Sequence, residues 1–337
     1  MNKPVKAWLD DLHTSNKKKA LPILSFPSVS LLGCSVRELI ANSELQAEGM
    51  RLIAQKTNAY ASVSFMDLSV EAECFGAKVH FSEDEVPTVV GRLLQSPKDV
   101  EDLQVPSVGS ARSGIYVDAI KKAVERIHDR AILAGMIGPF SLAARLLDVS
   151  EAMMYCYDEP EMMERVLDKV TTFLIEYAKA YKAVGAHGVV IAEPVAGMLS
   201  PSLEEEFSSP YVKKIVDAVQ DDNFIVVYHN CGNNVLKMTE SIISTGAKAY
   251  HYGNAIDMQE MMEKMPSNVL VMGNVDPAGT LKDGTCEKVR AETLELMQKC
   301  SKYKNFIPSS GCDIPPLTPW ENIQAFFETV DGFGEKF

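Results

Sequence analysis

Three things are scarce or missing in this sequence of 337 residues, and each absence excludes a class of protein. No run of about 18 apolar residues occurs, and the N-terminus "MNKPVKAWLDDLH" has no apolar signal-peptide core, so neither a transmembrane helix nor secretion is expected. Positive charge is in deficit, with 33 Lys and Arg against 46 Asp and Glu and a net charge of −13. We therefore expect a cytoplasmic globular protein that binds neither nucleic acid nor membrane.

Two further absences concern nucleotides and disulfides. No G-x-G-x-x-G or Walker sequence follows any predicted strand, which excludes the usual Rossmann and P-loop nucleotide sites. The seven cysteines are odd in number and scattered through the chain, so a disulfide framework is not expected. The thiols are then either free or ligands of a metal.

Eight short, mostly apolar runs predict strands, and each is followed by a longer helical pattern. They are "PILSF" from Pro22, "ASVSF" from Ala61, "AILAGMIG" from Ala131, "GVVIAEP" from Gly188, "NFIVVYH" from Asn223, "AKAYHYG" from Ala247, "NVLVMGN" from Asn268 and "NFIPSSG" from Asn305. Continuous apolar runs are typical of parallel strands that are covered by helices on one side and by a core on the other.

This alternation predicts an α/β protein with a single (β/α)₈ (TIM) barrel. We place an N-terminal helical extension at residues 1–20, the barrel at 21–337, and a long excursion after the second strand. Capping-box patterns predict helix starts at Asp158, Ser202, Asp257 and Thr318. A doubly wound parallel sheet is the alternative fold.

Polar residues collect at the carboxyl ends of the predicted strands, where the active site of a (β/α)₈ barrel forms. The candidates for binding substrate are Asp67, Asn274, Asp276 and His251, and Glu193 is a candidate catalytic residue that orients substrate or fills a metal's open position. Each has a structural alternative. Asp67 would anchor the excursion, and Asp276 would cap the next turn. His251 and Glu193 would be hydrogen-bonded residues of the barrel rim.

The stretch "YHNCG" places His229 and Cys231 directly behind the apolar run "NFIVV". Side chains alternate along a strand, so residues i and i+2 leave it on the same side. Cys312, in "SSGCDIPP", follows the last predicted strand, whose end opens onto the same mouth. One imidazole and two thiolates are donors that zinc favours, and three protein ligands leave a fourth position open. For H-x-C alone, the alternative is a core thiol beside a hydrogen-bonded histidine.

The ligand set also predicts the chemistry. Two thiolates neutralise the double charge of zinc, which makes it a weak Lewis acid that is poorly suited to activating water. Such an ion deprotonates a coordinating thiol and leaves its sulfur nucleophilic at neutral pH. We therefore expect alkylation of a substrate sulfur, with His229, Cys231 and Cys312 as the catalytic metal ligands.

Several segments resemble the uroporphyrinogen decarboxylase superfamily and, within it, the methylcobamide:coenzyme M methyltransferases and their corrinoid-dependent relatives. They are "MDLSVEAECFGAKVHF" from Met66, "GMIGPFSLAARL" from Gly135, "GAHGVVIAEPVAG" from Gly185, "YHNCGNN" from Tyr228, "GNVDP" from Gly273 and "SSGCDIPP" from Ser309. The H-x-C motif and the late cysteine match the zinc ligands of the methyltransferase branch.

The resemblance implies a zinc enzyme that transfers a methyl group from a corrinoid, carried by a small partner protein, to a small thiol such as coenzyme M. A demethylase that moves methyl from a methoxy compound or a methylamine to the corrinoid protein is one alternative. A decarboxylase or a non-catalytic tetrapyrrole-binding barrel is another. Decarboxylases of the superfamily carry an arginine-rich N-terminal motif, whereas "LPILSFPSVSLLG" has no arginine to bind carboxylates.

Overall fold

The computed structural model describes residues 5–15 and 17–333, which contain nine strands. In chain order the strands are β1 (Ala61–Val63), β2 (Val79–His80), β3 (Thr88–Val89), β4 (Ala131–Ile137), β5 (Gly188–Ala192), β6 (Ile225–Asn230), β7 (Ala249–Tyr252), β8 (Leu270–Val275) and β9 (Phe306–Ser310). Seven of them form one parallel sheet in the order β1-β4-β5-β6-β7-β8-β9, and β2 pairs with β3 in an antiparallel hairpin.

Helices separate the strands along most of the chain. They are α1 (Val5–Thr14), α2 (Ser28–Leu32), α3 (Val36–Ile40), α4 (Ser43–Lys56), α5 (Val70–Cys74), α6 (Pro97–Asp102), α7 (Ser113–Arg126), α8 (Pro139–Leu147), α9 (Val149–Asp158), α10 (Pro160–Ala183), α11 (Pro201–Phe207), α12 (Ser209–Val219), α13 (Thr239–Ser244), α14 (Met258–Lys264), α15 (Cys286–Cys300) and α16 (Trp320–Gly332). Short 3₁₀ turns lie at Ala196–Met198 and Val235–Lys237, and a π-helical turn lies at Pro277–Lys282. Among the described residues, none of the helices is long and apolar enough to span a membrane.

The sheet order excludes the alternative fold, a doubly wound sheet. Each strand of the parallel sheet pairs with the strand of that sheet that follows it in the chain, from β1 through to β9. A doubly wound sheet instead reverses its strand order at a switch point, which this sheet does not do. The prediction of a parallel α/β fold is confirmed, and seven of the eight predicted strands are present with bounds shifted by a few residues.

The first predicted strand, from Pro22 to Phe26, is wrong. This segment is not part of a ladder: Pro22 has no N–H group to donate, and Ile23 N donates to the Ser310 side chain at 3.1 Å instead of to a main-chain carbonyl. It makes isolated hydrogen bonds instead. Leu21 N donates to Pro308 O at 3.0 Å on the β9 side, and Tyr60 N, just before β1, donates to Ala20 O at 2.9 Å. The segment therefore lies between the two edge strands of the sheet.

The strands are apolar on both faces, which explains their continuous hydrophobic runs. One set of alternate residues packs against the helices, and the other set faces the inside of the curled sheet. The inner set includes Ala61, Val63, Ala131, Leu133, Val190, Ala192, Ile225, Val227, Ala249, Leu270, Met272 and Ile307. Trp8 and Leu12 of α1 belong to the same cluster, so α1 packs onto the sheet.

The division at residue 20 stays a prediction, and residues 1–4, 16 and 334–337 lie outside the described part of the chain. The excursion after the second predicted strand is present and contains α5, the β2–β3 hairpin and α6. Of the four predicted helix starts, Asp257 is confirmed as an N-cap that accepts from Glu260 N at 3.0 Å. The helices near the other three begin one to two residues away, at Pro160, Pro201 and Trp320.

Candidate metal centre at the carboxyl ends of the strands

His229 points to the inside of the curled sheet because side chains alternate between the two faces of β6. Ile225 and Val227 of β6 point inward, and His229 occupies the next alternate position of the same strand. The apolar, β-branched start of β6 favours a buried strand. The strand ends at Asn230, so Cys231 is the first residue after it. His229 is buried, and Cys231 is half-buried at the mouth.

The three predicted ligands lie together. The ligand atoms of His229, Cys231 and Cys312 are all within 4.8 Å of one another. Cys312 follows β9, and its Sγ is 3.4 Å from His229 Nε2. A tetrahedral zinc ion with ordinary bond lengths separates a nitrogen and a sulfur ligand by about 3.6 Å. The spacing and the donor types therefore fit a zinc ion.

The two thiols hold their protons unequally. The pKa of Cys231 is lowered to about 4, chiefly because the Cys312 thiol donates to it and secondarily because His229 is near. The pKa of Cys312 is raised well above its ordinary value, by the same hydrogen bond and then by burial. Both shifts place the hydrogen between the two sulfurs on Cys312, with Cys231 as its acceptor.

Two glycines let the neighbouring loops approach Cys231. A Cβ placed on Gly253, after β7, would lie 2.6 Å from Cys231 Cα. A Cβ on Gly232 would lie 2.4 Å from Gly197 Cα. Both distances are too short for any side chain. The backbone around Cys231 is therefore packed tightly enough to fix the direction of its thiol.

His251 lies beside His229, on the adjacent strand of the sheet. It is the residue of β7 that pairs with His229 of β6, and it is buried. Its Nδ1 is 2.8 Å from His229 Nδ1, and its Nε2 is 2.9 Å from Ser309 Oγ. Burial, and then the nearby His229, lower its pKa well below the ordinary value. Both ring nitrogens of His251 are thus used inside the protein.

Glu193 holds the N-terminus of α8. Its carboxylate accepts hydrogen bonds from Phe140 N at 2.9 Å, Ser141 N at 2.9 Å and Ser141 Oγ at 2.6 Å. A Cβ on Gly138 would lie 2.4 Å from the Glu193 side chain, so only glycine fits beside it. Burial raises the pKa of Glu193 to about 7 against these three hydrogen bonds.

Asn274 and Asp276 hold loops at the same end of the sheet. Asn274 Nδ2 donates to the carbonyls of Gly253 and Ile256, both at 3.0 Å, and so holds the loop that packs on Cys231. Asp276 Oδ1 accepts from Ala278 N at 3.0 Å and from Gly279 N at 3.1 Å, which makes it the N-cap of the π-helical turn.

The Asp67 carboxylate is hydrogen-bonded to side chains that follow β1 and to side chains at the start of α7. Its carboxylate accepts from Arg112, from Tyr116 Oη at 2.8 Å and from Ser69 Oγ at 2.6 Å. Arg112 also pairs with Glu73 at 2.7 Å, and all of these partners except Glu73 are buried. Asp67 therefore anchors the excursion to α7, as its structural alternative predicted.

Sequence reasoning missed three polar residues near these groups. Ser309 carries no distinctive signal in the sequence, although its alternation with Ile307 indicates that it points inward. Arg112 lies 45 positions from Asp67, and no local pattern indicates that they pair. Asp313 follows Cys312, and its Oδ1 is buried without a hydrogen-bond partner among the described residues. Burial raises its pKa well above the ordinary value.

Comparison with known proteins identifies the family. The model for uroporphyrinogen decarboxylase (URO-D) matches residues 28–333, which is most of the chain. The chain belongs to the uroporphyrinogen decarboxylase family. This match confirms the predicted resemblance at the level of the family.

Individual relatives carry two kinds of name. The methylcobamide:CoM methyltransferase MtbA of Methanosarcina acetivorans is 29% identical over 273 residues, which are 79% of this chain and 78% of that protein. The uroporphyrinogen decarboxylase of Coxiella burnetii is 27% identical over 288 residues, which are 82% of this chain and 78% of that protein. The predicted likeness to the methyltransferase branch is confirmed by the first of these, and the prediction of an enzyme is confirmed.

Solved structures agree with the fold. A methyltransferase from Methanosarcina mazei superimposes with a TM-score of 0.87 at 26% identity, covering 98% of this chain and 99% of that chain. A B12-independent methionine synthase from Shewanella sp. W3-18-1 superimposes with a TM-score of 0.58 at 15% identity, covering 93% and 96% of the two chains. The second likeness shows the fold alone.

Proposed function

We propose that this chain is a zinc-dependent methyltransferase that moves a methyl group from a methylated corrinoid to a small thiol such as coenzyme M. The observation that carries the proposal is the convergence of His229 Nε2 with the sulfurs of Cys231 and Cys312. The names of the relatives from Methanosarcina, which include methylcobamide and CoM, support the choice of substrates. The corrinoid would be carried by a small partner protein.

In this proposal His229, Cys231 and Cys312 hold the zinc ion. Zinc, when bound, would remove the proton of a substrate thiol and keep its sulfur nucleophilic at neutral pH. The two protein thiolates keep the net charge of the site low, so the substrate sulfur stays electron-rich. The substrate sulfur would take the methyl group directly from the corrinoid, so that an S–C bond would form as the Co–C bond breaks, and the electron pair of the broken bond would stay on the corrinoid. A direct displacement of this kind needs the sulfur and the methyl group in line, which a rigid site favours.

The other candidate residues hold loops or position neighbouring groups of the site. The hydrogen bonds of Asn274 and Asp276 favour a role in holding loops over direct contact with substrate. Glu193 is engaged by three donors of α8 and His251 by two side chains, which favours positioning roles for both. The substrate would then meet the metal and the backbone around Cys231.

Decarboxylation is the second candidate, because uroporphyrinogen decarboxylases are also among the relatives. A porphyrinogen carries several carboxylates, and residues 21–33 contain no arginine to bind them. The three convergent donor groups favour methyl transfer. A demethylase would use the same metal ligands, so the direction of transfer has to be measured.

Two finer points belong to the same proposal. We place the segment at residues 20–25 in the eighth position of a (β/α)₈ barrel, because it hydrogen-bonds on the β1 side and the β9 side. We also place the protein in the cytoplasm, because all seven cysteines are free and a reducing compartment keeps the metal-binding thiols reduced.

The test is to mix the zinc-loaded protein anaerobically with methylcobalamin and a panel of thiols while the corrinoid absorbance is followed. The expected products are cob(I)alamin and a methyl thioether, formed with one thiol or a small set of thiols. Methylation of cob(I)alamin from a methoxy compound or a methylamine, with every thiol ignored, would replace the proposal by the demethylase. Release of carbon dioxide from uroporphyrinogen, without methyl transfer, would replace it by the decarboxylase.

A further inference from the structure

A chain of buried hydrogen bonds runs from His229 across the inside of the sheet, starting at the ring nitrogen that does not face Cys312. His229 Nδ1 lies 2.8 Å from His251 Nδ1, and His251 Nε2 lies 2.9 Å from Ser309 Oγ. Ser309 Oγ in turn lies 2.7 Å from the carbonyl oxygen of Leu21. The three side chains are 2%, 1% and 0% exposed, so water does not compete for these bonds.

The far end of the chain fixes the direction of the bonds. A carbonyl oxygen can only accept, so the single hydroxyl hydrogen of Ser309 is donated to Leu21 O. The Ser309 oxygen must then accept from His251, which places a hydrogen on His251 Nε2. The His251 ring is only 1% exposed, and a buried imidazole without a compensating negative charge is neutral. A neutral ring that is protonated on Nε2 offers a lone pair at Nδ1.

The near end extends this argument to His229, and a main-chain carbonyl there gives the same direction independently. His251 Nδ1 accepts, so His229 Nδ1 must carry the hydrogen between the two rings. The main-chain carbonyl oxygen of His251 lies 3.3 Å from the same His229 Nδ1, and it too can only accept. Two acceptors therefore converge on one nitrogen of His229. The other nitrogen, Nε2, is left with its lone pair directed toward the thiols.

We propose that Ser309 and His251 are positioning residues that fix His229 in the Nδ1–H tautomer before any metal binds. The opposite tautomer would place a hydrogen on Nε2, where the metal has to bind. The inference rests on the proposed function in one respect, namely that His229 Nε2 is a zinc ligand. It adds two residues that act through His229 without touching the metal or the substrate.

The tautomer is tested directly in metal-free protein that carries ¹⁵N-labelled histidine. Long-range ¹H–¹⁵N correlation spectra distinguish a protonated ring nitrogen from an unprotonated one, and a His229→Gln variant assigns the signal among the six histidines. We expect hydrogen on Nδ1 for His229 and on Nε2 for His251. Hydrogen on Nε2 of His229 would overturn the inference.

Variants test whether the chain acts on the metal. Ser309→Ala removes the side-chain acceptor of His251, and Ser310→Ala is the matched control, because it keeps the main chain that also bonds to His251. Ser310 is the adjacent, equally buried serine of β9, and its Oγ accepts from Ile23 N at 3.1 Å. We expect Ser309→Ala to mix the tautomers of His251 and to weaken zinc binding about tenfold to a hundredfold, measured by competition with a chromophoric chelator. Ser310→Ala should change neither readout.

A pair of changes at His251 separates positioning from packing. His251→Gln supplies an amide oxygen that accepts from His229 Nδ1, whereas His251→Leu supplies no acceptor. We expect the Gln variant to recover most of the zinc affinity that the Leu variant loses. Equal affinities in the two variants, or equal losses in Ser309→Ala and Ser310→Ala, would overturn the inference.

The two proposals fail in different ways. A wild-type protein that binds no zinc overturns the proposed function, whatever its histidine tautomers are. A protein that binds zinc and transfers methyl groups, but has Nε2–H on metal-free His229, overturns only this inference.

Discussion

Two clusters of polar side chains follow strands of the same sheet, and they differ in how completely their atoms are bonded. Asp67, after β1, meets a cation and two hydroxyl donors, so its charge is matched within the protein. The cluster of His229, Cys231 and Cys312 instead brings three electron-pair donors together. Such donors repel one another unless they share a proton or a cation. Of these two clusters, the second is the one that could hold a metal ion.

The comparison shows that position at a strand end does not identify a functional residue by itself. Asp67, Asn274 and Asp276 occupy that position and are hydrogen-bonded to neighbouring elements. The metal-site cluster, which consists of His229, Cys231 and Cys312, differs because its three ligand atoms lie within 4.8 Å of one another. The predictions below change one cluster at a time.

The largest expected effect is on the metal. Cys312→Ala removes one thiolate of the metal-site cluster. We expect the variant to lose most of its zinc and more than about a hundredfold of its methyl-transfer activity. This loss exceeds the effect of changing a residue that only hydrogen-bonds to a metal ligand. Metal analysis and the methylcobalamin assay measure the two losses. Cys34→Ala changes another half-buried free thiol and is the control. Full zinc occupancy in Cys312→Ala would remove this residue from the site.

The next largest effect is expected from breaking the Asp67 cluster, in which Arg112 balances the charge of the carboxylate. Arg112→Met leaves the buried Asp67 without its cation, and we expect unfolding to become easier by about 3 to 5 kcal/mol in urea titrations. Arg37→Met breaks the exposed pair with Glu83, at 3.2 Å, and should change stability by less than about 1 kcal/mol. The folded fraction of Arg112→Met should keep its zinc. If the folded fraction lost its zinc as well, the two clusters would not be independent.

A smaller, pH-dependent effect is expected at Glu193, which is fully hydrogen-bonded yet buried. Its pKa rises from 4.5 to about 7 on folding, so the folded protein binds the proton more tightly than the unfolded chain. The stabilisation from this proton is present below pH 4.5 and is lost as the pH rises through 7. Relative to Glu193→Gln, metal-free wild type should therefore lose about 2 to 3 kcal/mol over this range. Parallel stability curves for the two proteins would contradict the burial argument.

The sequence predicts the sheet well because both faces of each strand are buried, which produces continuous, mostly apolar runs such as "GVVIA" and "IVVYHN". It fails at Pro22 to Phe26, where the apolar composition resembles a strand but Pro22 has no N–H group and Ile23 N bonds to the Ser310 side chain. Helix starts are placed to within a residue or two, because capping patterns compete locally and only the fold decides which side chain bonds. At Asp257 the predicted cap forms, whereas α10 starts at Pro160 with Glu159 before it and no side-chain cap.

The candidate metal ligands are predictable for a similar reason. His229 and Cys231 share one strand end, and Cys312 follows the end of another parallel strand, so topology brings them together. Contacts between polar residues far apart in sequence carry no local signal. The partnership of Arg112 with Asp67, the Ser309 hydrogen bond to His251, and the hold of Glu193 on α8 appear only in three dimensions.

The most direct test of the account is X-ray absorption at the zinc edge of the loaded protein, with and without the accepted thiol. The account predicts one nitrogen and two sulfur ligands from His229, Cys231 and Cys312, and a third sulfur when the thiol is added. The released proton should be detectable as a fall in pH in weakly buffered solution. A zinc ion with no sulfur neighbours, or one whose sulfur count stays at two when the thiol is bound, would contradict the account.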